Sequence, residues 1–334
     1  MKTRSNENNK NSAVKKIIPA VGMLALSATM LSTSTYAWFT MNKEVQMTGL
    51  NMTATVGEGM EISLASVTEN NALAFEGTNF ENNHPKDVDT ELGWGSAVVV
   101  DEYYESIGAI KPASSVDGKN LFDATDATNG GRTATKFTEV DTEAELKQRK
   151  TKSNDAIKSD GASGYYVDIP VHLRTNKKAP GADATGDIYY KMTISSYDPE
   201  NPTEAGTTDL YKAVRVAFLN YDSTDTLSPK IYGIDSAYYD STNAVSGKSA
   251  KTASNITKDG VYATDTYEAG AYMDSTMDLP LAATGENYGH LDFVVRVWLE
   301  GESTSCYNDK QGQSWNIDLA FSLGDPAANA NAEG

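Results

Sequence analysis

Three histidines, His84, His172 and His290, and one cysteine, Cys306, are the side chains of this sequence suited to imidazole or thiol chemistry. A zinc site needs such ligands at recognisable spacings, as in His-Glu-x-x-His, and none of the three histidines has that neighbourhood. His172 falls inside a strand-like run and His84 precedes Pro85 in an Asn-rich stretch, so the histidines read as structural and no metal ligand is assigned. Cys306 follows Glu300 and Glu302, whose charges disfavour a thiolate, so it reads as a partly buried free thiol rather than a nucleophile. A bridge to another chain is the sharper alternative for an unpaired cysteine. No Gly-x-Ser-x-Gly elbow and no Gly-x-x-x-x-Gly-Lys-Ser/Thr phosphate loop occurs. The acidic stretches Asp117 to Asp126 and Asp222 to Asp225 offer oxygens of the kind calcium takes, but neither has the Asp-x-Asp-x-Asp-Gly spacing. Calcium is therefore a cofactor without a motif, and no catalytic residue is assigned.

Two further patterns look chemical and read as packing. In Arg296-Val297-Trp298-Leu299-Glu300 the period of two puts Arg296, Trp298 and Glu300 on one face, where the charges are expected to flank the Trp298 ring and pair across strands. The pairs Tyr103-Tyr104, Tyr165-Tyr166, Tyr189-Tyr190 and Tyr238-Tyr239 offer contact residues for sugars or proteins. In a strand, alternation turns one tyrosine of each pair toward the core.

The elements that would position these residues are strands. Tyr165 to Thr175, Asp187 to Tyr197, Leu210 to Tyr221, Leu291 to Glu300 and Ser314 to Leu323 are strand-length runs bounded by Gly, Pro, Asn and Asp clusters. Alternation is cleanest at Trp315, Ile317, Leu319, Phe321 and Leu323, which predicts one buried and one wet face. Val214, Val216 and Phe218 repeat it around Arg215, and Phe293, Val295, Val297 and Leu299 around Arg296 and Trp298. Near the start, Trp38 to Val56 has apolar residues at period two in blocks, with a slip at Gly49 that reads as a bulge or change of strand partner, and with the turn Gly57-Glu58-Gly59 and a second strand at Met60, Ile62 and Leu64 it predicts a hairpin. Residues 68–164 and 222–286 read as loop-rich insertions, the first with one helix over Glu143 to Lys158 and the second with a short strand at Val261 to Ala263. The expected fold is all-β: an antiparallel β-sandwich or jelly roll with long loop-rich insertions and at most one or two short helices.

Charge and the N-terminus place the chain outside the cytoplasm. Lys2, Arg4, Lys10, Lys15 and Lys16 precede an apolar run of 15 residues from Ile17 to Leu31, the layout of a signal peptide. The run is shorter than the roughly 18–20 residues that span a bilayer, so no permanent membrane span is expected in the mature form. Thr35-Tyr36-Ala37 is a small-x-small site, with cleavage between Ala37 and Trp38. Removing residues 1–37 takes away five basic residues and one acidic, so the net charge moves from -18 to -22. Such a surface repels phosphates, and nucleic acid is excluded as a partner class. With one cysteine the chain can form no internal disulfide, so stability rests on a core built by residues 38–324 as one domain. Residues 325–334 read as a disordered tail.

The Thr-aromatic-Ala cleavage site, the Trp38-Phe39 pair that follows it and the strand Gly49-Leu50-Asn51-Met52 resemble the secreted proteins of Firmicutes processed by the SipW-type signal peptidase, the TasA and camelysin-like group. Lys111-Pro112-Ala113-Ser114-Ser115-Val116-Asp117-Gly118-Lys119-Asn120 and Val295 to Glu302, with Cys306 following, resemble a clostridial branch of that group. These stretches cover about a fifth of the chain. The resemblance implies a jelly-roll-like sandwich, a dedicated signal peptidase as partner, a secreted or surface location and a role in biofilm-matrix fibres. It implies self-association into filaments by donor-strand addition, with Trp38, Phe39, Met41, Val45 and Met47 as the candidate donor strand. The alternatives are a camelysin-like zinc-dependent protease, for which no motif is present, and a surface adhesin that binds glycan or a host protein through acidic, Tyr-rich loops. With neither a lipidation Cys after the leader nor a Leu-Pro-x-Thr-Gly after Leu323, attachment to the cell is expected to be non-covalent.

Overall fold

The computed structural model describes residues 50–64, 93–124, 136–148, 158–197, 209–233, 245–248, 260–262, 266–303, 305–306 and 313–324. Its strands are β1 (Leu50–Val56), β2 (Met60–Ser63), β3 (Ala97–Val99), β4 (Tyr104–Ile110), β5 (Ser114–Ser115), β6 (Leu121–Ala124), β7 (Phe137–Val140), β8 (Leu146–Gln148) and β9 (Lys158–Gly164). They continue with β10 (Tyr166–Thr175), β11 (Thr185–Tyr197), β12 (Val214–Asn220), β13 (Thr226–Tyr232), β14 (Gly260–Tyr262), β15 (Thr266–Pro280), β16 (Gly289–Leu299) and β17 (Ser314–Leu323). Among the described residues the helical pieces are single turns, α1 (Val100–Tyr103) and a 3-10 turn at Leu210–Ala213. The protein is all-β, as its alternating sequence leads one to expect.

Two large sheets enclose the core. One runs β14-β15-β11-β17-β1-β3 and the other β13-β12-β16-β10-β2. Alternate residues of both point inward: Ile188, Tyr190, Met192 and Ile194 of β11 and Trp315, Ile317, Leu319 and Phe321 of β17 meet Val167, Ile169, Val171 and Leu173 of β10 and Phe293, Val295 and Val297 of β16. An aromatic cluster sits at the centre, where Phe218 meets Tyr190, Phe293 and Phe321 at centroid distances of 4.9, 5.8 and 6.3 Å.

Among the described strands, pairing is antiparallel with two exceptions. β1 lies parallel to β17, from Leu50 beside Trp315 to Val56 beside Phe321, and β4 lies parallel to β9. A parallel pair needs a long crossover, and for β1 and β17 nearly the whole chain supplies it. The expected early hairpin does not form. β2 pairs with β10 in the opposite sheet, so the corner at Gly57 to Gly59 carries the chain across the core instead of back along β1. Gly59 takes φ +78° there. Met52 and Ala54 then face Met60 and Ile62 through the same core, an arrangement that the spacing of apolar residues satisfies as well as a hairpin.

Other expectations are corrected where polar sequence hides strands. At the two ends of the helix expected over Glu143 to Lys158 there is strand instead, β8 at Leu146–Gln148, whose Leu146 packs half-buried against the main core, and the start of β9; residues 149–157 lie outside the described residues. Two apolar positions are too few to hold a helix on a core. Residues 93–110, within the first loop-rich stretch, bring Val98, Val100, Tyr104, Ile107 and Ile110 into the main core. The second stretch contributes β13, an edge strand carrying Pro229, and β15, paired to β11 with two register shifts. Expected strand Val261 to Ala263 is seen as β14. Tyr189-Tyr190 alternates as expected, Tyr190 inward, whereas Tyr103 and Tyr104 are both buried because the α1 turn breaks the period between them.

Candidate functional site

Ala37 and Trp38 of the cleavage site, and Phe39, Met41, Val45 and Met47 of the candidate donor strand, lie outside the described residues, as do His84, Tyr238-Tyr239 and the tail. The first described strand, β1, begins three residues after Met47. It is an interior strand, flanked by β17 along its length and by β3 at Thr53 to Thr55.

The described residues that gather the most chemistry are two stretches far apart in sequence, 111–120 and 295–302. Ala113 bridges Glu300 in parallel, its N–H donating to the Leu299 carbonyl at 2.9 Å and its carbonyl accepting from Gly301 at 3.0 Å. Ser114 Oγ donates to Glu302 Oε2 at 2.9 Å and the Ser115 N–H to Glu300 Oε2 at 3.4 Å. Asp117 closes the turn that follows, accepting from the N–H groups of Lys119 and Asn120 at 2.9 and 2.8 Å. Gly118, at φ +74°, is pressed onto the sheet: a Cβ there would stand 2.6 Å from Ala217 Cβ and 3.6 Å from the Trp298 ring. Only glycine meets both demands.

This turn begins a small sheet, β5-β6-β7, that covers part of the outer face of the five-stranded sheet. Beneath it Ala113 and Leu121 pack on Ala217, Leu219, Ile231, Val294 and Trp298. Arg296 is clamped at the margin. Its Nε and Nη2 donate to the two Asp168 oxygens, each at 2.7 Å, and its Nη1 to the Lys119 carbonyl at 2.9 Å. Burial works against the Arg296 charge, but the hydrogen bonds and charge of Asp168 outweigh it and raise the pKa above the ordinary arginine value. The ring under the guanidinium is Tyr166, at 4.0 Å, not the expected Trp298, whose indole is enclosed with the apolar group.

Further along the same face, His172 Nδ1 meets Asp292 Oδ1 at 2.7 Å, and Arg174 lies between the rings of Trp94 and Tyr288 at 4.5 and 3.9 Å while its Nε donates to Glu61 at 2.6 Å. His290 stands against Trp94 and Tyr288. His172 is thus buried in the sheet face, while His290 stays exposed beside those rings. Among the described residues no three His, Cys, Asp or Glu side chains gather as metal ligands. Asp117 is taken up by its own turn, and Asp222 accepts from the N–H and hydroxyl of Thr224.

At the inner end of the junction Glu300, Glu302 and Arg215 are all fully buried. Arg215 Nη1 donates to the carbonyls of Lys212, Val214 and Gly233. Burial first, and then the Glu302 charge, push the Glu300 carboxyl up to about 7. Burial and the Glu300 charge push the Cys306 thiol up to about 12, so it stays protonated and unreactive at neutral pH. Sequence reasoning singled out Glu300 and Cys306 but missed Arg215 and Asp168. The signal available was a charged residue in the middle of an apolar run, which asks for a buried partner.

Comparison of the chain with protein-family models, curated proteins and solved structures finds no match in any of the three. Among the described residues no helix is long and apolar enough to cross a membrane.

Proposed function

We propose that the mature protein is an extracytoplasmic structural subunit of the cell surface or biofilm matrix, which assembles into fibres when Trp38 to Met47 adds as a strand to a neighbouring copy. The observation that carries this reading is the sequence pattern just ahead of β1, the first described strand. Phe39, Met41, Val45 and Met47 put apolar side chains at alternating positions within two blocks, the pattern a groove between sheets reads, while main-chain hydrogen bonds supply affinity. The sequence resemblance points the same way through the cleavage site and the stretches 111–120 and 295–302. Those stretches are one interlocked unit here, joined by the Ala113 bridge and the Ser114 and Ser115 hydrogen bonds.

N-terminal sequencing of exported protein tests the first step, with Trp38 the expected start. A start at Met1, or beyond Val45, removes the mechanism. Val45→Pro tests the second, because proline takes away one ladder donor and restricts the backbone. The variant is expected to fold and to lose filaments; filaments of unchanged length and number overturn the donor-strand reading.

A further inference from the structure

The covering sheet stops short of one end of the face it protects. Its apolar contacts reach Leu219 of β12 and Val294 of β16, and beyond them the face continues with Tyr221 just past β12, His172 and Arg174 of β10, and Asp292 and His290 of β16. His172 stands across from Asp292, and Arg174 across from His290 and Glu61, so these side chains share one face. Tyr221 is the exposed large hydrophobic residue among those described, at 42%, and its ring lies 5.5 Å from that of His172. Two residues along β10, the half-buried Tyr288 ring lies 3.9 Å from the Arg174 guanidinium. Each of these two places also has a carboxylate with one oxygen tied into the sheet. Asp292 Oδ1 meets His172 Nδ1 at 2.7 Å and Glu61 Oε2 accepts from Arg174 Nε at 2.6 Å, while Asp292 Oδ2 and Glu61 Oε1 have no partner among the described residues. Those two side chains are 49% and 38% exposed.

The chemistry of these groups selects a ligand class. Glu61 and Arg174 cancel, and with neutral histidines Asp292 leaves one negative charge on the patch, so no cation is required; the formal net charge of -18 repels an anion. The open carboxylate oxygens only accept hydrogen bonds, which hydroxyl groups supply, and the ring faces take apolar C–H surface. Sugar units carry both. We propose that this uncovered end of the five-stranded sheet is a binding site for a neutral oligosaccharide: one sugar ring stacks on Tyr221 with its hydroxyls donating to Asp292, and a second lies at Tyr288 with its hydroxyls donating to Glu61. His172 and Arg174 stand about 6–7 Å apart along the strand, so the two places take successive units of a chain. Both are positioning residues, each holding the carboxylate beside it. Because the sheet already fixes Asp292 and Glu61, binding has little ordering left to do in the protein. The site shares no residue with Trp38 to Met47, so its test is independent of fibre assembly.

The test is titration calorimetry of the purified mature chain with cellohexaose and with N-acetylchitohexaose, two neutral linear oligosaccharides, at about 50 mM and about 500 mM salt. At least one is expected to bind with a Kd below about 1 mM that changes less than about twofold between the two salts, as an uncharged ligand requires. Tyr221→Ala is expected to weaken binding about tenfold or more, and Asp292→Asn, which keeps the contact to His172, about fivefold. Asp318→Ala, on the six-stranded sheet, is expected to leave it unchanged, with circular dichroism checking the fold of every variant. No binding of either oligosaccharide at about 5 mM overturns the site, as does binding that Tyr221→Ala and Asp292→Asn both leave within about twofold. Hexalysine that binds in place of the sugars, and is lost with Tyr221→Ala or at the higher salt, overturns the ligand class. If Tyr221→Ala does not fold, amide NMR shifts of the unaltered chain on adding the oligosaccharide decide. Shifts centred on residues 172–174, 221 and 288–292 support the site, and shifts confined to other strands overturn it.

Discussion

On the outer face of the five-stranded sheet, β12 and β16 bury Arg215, Arg296 and Trp298 and β10 half-buries Asp168, whereas on the six-stranded sheet β11 and β17 leave Lys191, Thr193 and Asp318 in contact with water. The inner faces are alike, both apolar and both turned into one core. Among the described residues the outer faces differ because one receives a second layer. Under β5-β6-β7 a charged group needs a protein partner, and Arg296 finds Asp168 on both its arms, while the Trp298 Nε1–H is enclosed with no hydrogen-bond acceptor. On the open face Thr53, Thr55, Lys191, Thr193 and Asp318 line a shallow depression, where Thr55 Oγ1 donates to the Leu319 carbonyl at 3.4 Å. Equal strand patterns therefore carry unequal sensitivity to mutation, set by what lies outside the sheet.

The largest effect is expected in the layer both faces share. Phe321→Ala empties a fully buried site against Tyr190, Phe218 and Phe293, and a cost of about 3–5 kcal/mol in denaturant unfolding is expected. Asp168→Ala comes next, because it strands the Arg296 charge under the covering sheet; about 3 kcal/mol is expected by the same measurement. A loss below about 1 kcal/mol would mean that the covered face is wetter than described and would erase the contrast. Gly118→Ala probes the seat of the covering layer through a positive φ and an occupied Cβ position, at about 1–3 kcal/mol. Asp318→Ala, on the open face, is expected to change stability by less than about 0.5 kcal/mol. An effect equal to that of Asp168→Ala would show that the second face is also covered in solution.

The same contrast explains what could be read from sequence. β17 alternates buried and wetter positions along its length because one of its faces meets water, and its alternation was legible. In β12, Val214 to Leu219 are all buried, so the alternation of Val214, Val216 and Phe218 around Arg215 marked the core face correctly, while the enclosure of Arg215 was signalled only by its charge within an apolar run. β15 stayed hidden because main-chain pairing to β11, rather than an apolar stripe, marks it as a strand. The hairpin failed because a glycine corner between two strands serves a crossing between sheets as well as a return within one. Stretches 111–120 and 295–302 were legible as two separate patterns. That they close on each other depends on contacts about 180 residues apart, which no local period encodes.

The central claim, that the protein is a fibre subunit whose mature N-terminal segment makes the joint, is tested most directly by electron microscopy of the cleaved chain beside a variant lacking residues 38–47. Circular dichroism and denaturant unfolding serve as the check on folding. Linear filaments are expected from the cleaved chain, and a folded domain that stays dispersed from the variant. Filaments formed by the variant, or a variant that does not fold, would contradict the account.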